Sequence, residues 1–95
     1  MKYSINTYST TGELSGTYGT DFVSTNTFIK AVKALQKIEG VTDIEVIVTT
    51  LSDVVTYIIP SLDVDTVRNN CDVADMLYLV KQVVNKMAGI EASKN

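Results

Sequence analysis

The chain contains no histidine among its 95 residues, and that absence shapes every chemical reading. It removes the usual general base, the usual neutral metal ligand and the side chain that titrates near neutrality. Carboxylates, hydroxyls, lysines and one thiol remain. Asp21, Asp43, Glu45 and Asp53 are candidate acid–base carboxylates, but nothing in their spacing pairs any two, and a solvated surface is the ordinary place for them. Asp63, Asp65 and Asp72 invite a metal reading. Their spacing departs from a calcium loop, which needs a central glycine and a bidentate glutamate at its end. Acidic residues before or within a first helical turn complement the helix dipole instead. Cys71 has no histidine or second cysteine to activate it, so it reads as a small buried residue or an inert surface thiol. Lys30, Lys33 and Lys37 form a stripe that reads as a solvated face, since no aromatic or glycine-rich loop accompanies them. Phosphate loop, dinucleotide fingerprint, zinc spacing and nucleophile elbow are all missing. The expectation is a protein that is not an enzyme and holds no cofactor or metal.

A net charge of −3 argues against direct nucleic-acid binding, which rests on clustered lysine and arginine. No apolar run approaches the roughly 20 residues that span a bilayer, and the opening MKYSINTYST has no hydrophobic leader core. A lone cysteine suits a reducing interior. Together these predict a cytoplasmic protein without a membrane partner.

The elements that must position these groups follow from periodicity. Residues 2–9 alternate, Thr11-Gly12 suits a two-residue turn, and Glu13 to Tyr18 returns antiparallel with Ile5 facing Tyr18. Ser24 or Thr25 caps a helix to about Glu39, with Phe28, Ala31, Val32, Leu35 and Ile38 on one face and Gly40 at its end. Ile44 to Ile59, IEVIVTTLSDVVTYII, reads as a second hairpin broken at Leu51-Ser52-Asp53, with Val46 facing Tyr57 and Ile44 facing Ile59. From Asp72 to about Ala88 a second helix carries Val73, Met76, Val80, Val83 and Met87 on one stripe. The order ββαββα predicts an α+β fold: a four-stranded antiparallel sheet with two helices packed on one face. Residues 1–90 form the single domain and 91–95 a frayed tail.

On this fold the open sheet face shows Ile47, Val54 and Ile58, and the last helix has apolar surface to spare at Met76, Leu79, Val83 and Met87. Those seven residues are the candidate interface, and they predict a homodimer or higher oligomer. Asp63, Asp65, Asp72 and Asp75 form a candidate acidic patch for a basic partner. The run YSTTGELSGTYGTD, then FIKAVKALQKIEG and VTDIEVIV, resembles small phage accessory proteins in its order of turn, helix and strand over residues 3–59. That resemblance implies a small stand-alone protein in the host cytoplasm that binds a macromolecule, for example as an inhibitor of a host enzyme or defence system. It carries over no functional residues. The expected function is a non-catalytic, oligomeric binding protein acting through a protein–protein interface. The alternative is a sponge or sensor for a nucleotide or other small anion, with a pocket between protomers lined by Tyr and Thr side chains, Lys30 and Lys33. A minor structural component of a larger particle is a third reading.

Overall fold

A computed structural model describes residues 1–87 and Gly89. It has two strands, β1 (Tyr3–Tyr8) and β2 (Leu14–Thr20), and four helices, α1 (Thr25–Ile38), α2 (Ile44–Ile58), α3 (Val64–Asn70) and α4 (Val73–Met87). The fold is α+β but mostly helical, at 58%. This corrects the expected four-stranded sheet: the central hairpin is instead α2, and the only sheet among the described residues is β1–β2. The tail expected at 91–95 lies outside the described residues.

The cause is visible in α2. Asp43 precedes it and its carboxylate accepts from the Glu45 amide at 3.0 Å, while Glu45 adds negative charge to the first turn. Both features favour a helix start. Leu51, Val54, Val55 and Ile58 then recur at helical spacing and are buried, whereas Glu45, Thr49, Asp53 and Tyr57, four residues apart, stay exposed. An alternating strand would have mixed these two sets; a helix separates them. The break at Leu51-Ser52-Asp53 offers no glycine or asparagine for a tight turn, and Leu51 and Ser52 are almost wholly buried.

The core is one cluster built around α2. It contains Leu51, Val55 and Ile58 of α2, Ala31 and Ala34 of α1, Val67 of α3, and Met76, Leu79, Val80 and Val83 of α4, closed on one side by Tyr3 and Ile5 of β1. Helix α2 packs on α1, α3 and α4, and β1 packs on α4 and α3. The candidate interface is therefore mostly interior. Val54, Ile58, Met76, Leu79 and Val83 are buried core residues, Ile47 is half-buried against them, and only Met87 is exposed. The expectation of self-association rests on an apolar sheet face and on spare surface of the last helix, and in this fold most of the residues assigned to both are core.

The N-terminal hairpin matches its expected pairing at Ile5↔Tyr18, but its turn is longer. Gly12 N–H donates to Ser9 O and Ser9 N–H donates to Glu13 O, at 2.9 and 2.8 Å. The loop is thus three residues, with Gly12 at φ +86° supplying the left-handed position such a loop requires. A register shift lies between Thr7 and Tyr8, which leaves Ser15 as the extra residue. The buried Thr7 hydroxyl pairs with Ser15 Oγ at 2.9 Å there. Asn70 of α3 donates to Tyr8 O at 2.9 Å, and Gln82 of α4 donates to Lys2 O at 3.3 Å, so the hairpin is held by hydrogen bonds as well as by Tyr3 and Ile5.

Adjacent residues in α2 give a sharp test. Leu51→Ala should cost about 2–5 kcal/mol by leaving a cavity. Ser52 Oγ is buried without a hydrogen-bond partner among the described residues, so Ser52→Ala should be neutral or raise stability by up to about 1 kcal/mol. Urea unfolding of both variants measures this; equal tolerance at both sites would restore an exposed turn.

Candidate anion-binding groove

Helices α1 and α2 are joined by residues 39–43 and run in opposite directions, since Lys30 lies over Tyr57 while Lys37 lies beside Val46 and Thr50. Each presents a stripe at spacings of three and four to the other: Lys30, Lys33, Ala34 and Lys37 from α1, and Thr50, Asp53, Val54 and Tyr57 from α2. Ala34 and Val54, 6% and 3% exposed, make the floor. The lysines form one wall, and Thr50, Asp53 and Tyr57 the other. Because alanine is small, the floor lies below the flanking side chains, and the result is an open groove of about 220 Å³.

The groove carries three ammonium groups on one wall and a single carboxylate, Asp53, on the other. Lys30, Lys33 and Lys37 make no ion pair among the described residues, and Asp53 across the groove pairs with none of them. The lysine positions are about 4.5 and 6 Å apart along the helix axis. At such separations unit charges in water repel by about 0.7–0.9 kcal/mol per adjacent pair, and a bound anion relieves that repulsion. The Lys30 ammonium sits 4.3 Å from the Tyr57 ring centroid. At an exposed site this cation–π contact is worth about 0.5–1 kcal/mol. It is strong enough to orient Lys30 and weak enough to yield to a carboxylate or phosphate.

Two further depressions join this groove end to end. Lys37 and Thr50 also line a shallow hollow of about 190 Å³ with Glu45, Val46 and Thr49. Tyr57 is shared with a hollow of about 290 Å³ that includes Phe22, Thr27, Ile58 and Pro60. A larger depression of about 470 Å³ lies along α4, but its lining, from Tyr78 to Lys86, comes from that helix alone.

The other predicted site residues disperse to structural roles. Asp63 caps α3: its carboxylate accepts from the Thr66 amide at 2.7 Å, and that amide, then the Thr66 hydroxyl, hold Asp63 below the usual carboxylate range. The stabilisation this cap gives is therefore complete above the ordinary carboxylate pKa and lost as pH falls through the lowered one. Asp72 accepts from the Ala74 amide at 2.7 Å at the start of α4. Asp65 and Asp75 lie in the first turns of α3 and α4. Glu45 pairs with Arg68 at 2.8 Å and ties α2 to α3. No group of three or more metal-ligating side chains occurs among the described residues, nor any helix long and apolar enough to cross a membrane.

Lys30 and Lys33 line a hollow with the side chains of Tyr57 and Thr50 of the same chain. The aromatic that the lysine stripe lacks in sequence is Tyr57, which the hairpin reading puts on a strand face opposite Val46. Four-residue spacing of Glu45, Thr49, Asp53 and Tyr57 is the signal that places it beside α1. Compared with protein-family models, curated proteins and solved structures, the chain matches none. The strand that contributes to the likeness to phage accessory proteins, within residues 41–48, is a loop leading into the start of α2.

Cys71 ends α3 and is half-buried. Burial, and then the negative charge of Asp75, push its thiol above the ordinary value. Iodoacetamide should therefore alkylate it more slowly in the folded protein than in urea, with the rise in rate setting in at higher pH; Asp75→Asn should speed the folded-state reaction. Mass-spectrometric time courses measure both.

Proposed function

We propose that this chain is a non-catalytic binding protein that holds an anionic group in the groove between α1 and α2. The observation that carries the reading is the placement of Lys30, Lys33 and Lys37, unpaired by any carboxylate among the described residues, along one wall facing Thr50 and Tyr57. A chain with net charge −3 has eight basic side chains, and three of them stand in this one groove. Hydroxyls of Thr50 and Tyr57 add donors that suit carboxylate or phosphate oxygens. Ammonium groups supply attraction without fixing geometry, so the groove selects for charge more than for shape.

A catalytic reading has less to stand on. The groove offers lysines and hydroxyls but one carboxylate, Asp53, and the chain has no histidine to relay a proton. Its volume also lies below the roughly 300–1,000 Å³ of pockets that enclose a small substrate. The open form suits an anionic group carried on something larger.

Inorganic tripolyphosphate is a suitable probe because its charges are distributed along a short chain. Added at a hundred times its Kd, it should raise folding stability by about 2.7 kcal/mol and move the backbone amide resonances of residues 30–37 and 50–57. Each of Lys30→Gln, Lys33→Gln and Lys37→Gln should weaken binding about two- to fivefold. Absence of any stability gain, or resonance changes confined to other surfaces, would remove the groove from the reading.

A further inference from the structure

The α1–α2 groove does not end at Tyr57. That ring is also a wall of the adjoining hollow, where Phe22, Pro60 and Ile58 replace the lysines. Phe22 is 76% exposed, an unusual position for a large apolar side chain, and its backbone is tied in a local turn. Thr20 Oγ1 donates to Phe22 O at 3.0 Å and accepts from Phe22 N–H at 3.2 Å. This local turn keeps the ring out of the core that the neighbouring Val23 enters. Pro60 comes just after the end of α2 and is also exposed. The surface thus changes character along one line: an aromatic and apolar end at Phe22, Tyr57 and Pro60, then a cationic stretch at Lys30, Lys33 and Lys37.

Building on the anion-binding reading above, we propose that this line is a docking channel for an acidic peptide segment of a partner protein. One apolar side chain of the segment enters the hollow beside Phe22, Tyr57 and Pro60, and its carboxylates lie along the three lysines. Charge complementarity argues for this occupant. The lysines extend over about 10 Å of helix, more than one phosphate or carboxylate reaches, while about three residues of extended chain cover the same distance. The apolar end requires a ligand that is anionic over only part of its length. A nucleic-acid strand carries a phosphate at every residue along its length, whereas a peptide can be anionic beside the lysines and apolar beside Phe22 and Pro60, and so satisfies both ends. Buried aromatic anchors beside a polar, charged track are the usual division of labour in such interfaces, the anchor giving affinity and the charges giving register.

The test uses a fluorescein-labelled peptide with one leucine followed by four glutamates, read by fluorescence anisotropy on the full chain. Saturable binding is expected, weakening as salt rises. The triple variant Lys30→Gln/Lys33→Gln/Lys37→Gln should lose at least about tenfold in affinity. Phe22→Ala, at an exposed site where the fold is not in question, should lose about fivefold, and leucine-to-alanine in the peptide the same. Far-UV circular dichroism confirms that the variants remain folded. Peptide binding indifferent to both Phe22→Ala and the leucine overturns the channel and leaves a plain anion groove. Tripolyphosphate binding at the lysines without peptide binding does the same. Tighter binding of oligothymidylate than of the peptide overturns the peptide in favour of a nucleic acid. If neither tripolyphosphate nor peptide binds, the anion-binding reading falls with it.

Discussion

The burial of α2 is the constraint on which the molecule depends. Leu51, Val55 and Ile58 are at most 2% exposed, and they stay so only because three other helices lie against the same element. Remove α2, and α1 and α4 keep only each other and, for α4, β1, while α3 loses the helix it packs on. Ten of the fifteen residues of α2 are β-branched, which costs helix stability by at most about 0.7 kcal/mol each. Its four buried aliphatic side chains return about 1.5–3 kcal/mol apiece. Burial is available only in the packed fold, so an isolated α2 carries the first term without the second. Contacts with α1, α3 and α4 decide its conformation.

That balance explains how much of the fold is legible in the sequence. Where intrinsic preference and tertiary context agree, the reading holds: the N-terminal strands meet at Ile5 and Tyr18, Ser24 caps α1, and α4 begins after Asp72. For residues 44–59, β-branched composition points to strands and tertiary packing imposes a helix. Two local signs favour the helix: the Asp43–Glu45 start and the polar residues four apart. The alternation of apolar residues outweighs them on paper because valine and isoleucine fill both templates. Helix α3 escapes a sequence reading as well. It is only seven residues long, too short for periodicity to register, although Asp63 marks its start.

The groove inherits both outcomes. Its lysine wall is readable as a stripe at helical spacing, since α1 is where the sequence puts it. Its other wall is not, because the hairpin reading puts Asp53 in the turn and Tyr57 inward beside Val46. A helix puts Thr50, Asp53 and Tyr57 on one side, toward the lysines. A single error of period therefore moves the expected interaction surface from the outside of α1 and α2 to residues that are in fact core, such as Val54 and Ile58.

The hairpin packs mainly on α4, at the far end of the chain, rather than on α1, its neighbour in sequence. Tyr3 lies under the Lys86 ammonium at 5.8 Å, and the Lys2 carbonyl accepts from Gln82, eighty positions away. Local pairing lets β1 and β2 meet early, on the microsecond scale of hairpins. Their docking, however, waits for α4, which emerges after α1, α2 and α3. Until then the buried face of Tyr3, Ile5 and Thr7 has only α3 to cover it. During synthesis the chain therefore passes through a stage in which a strand face is only partly covered. The polar, threonine- and serine-rich edge of β2 limits its pairing with other chains during that interval.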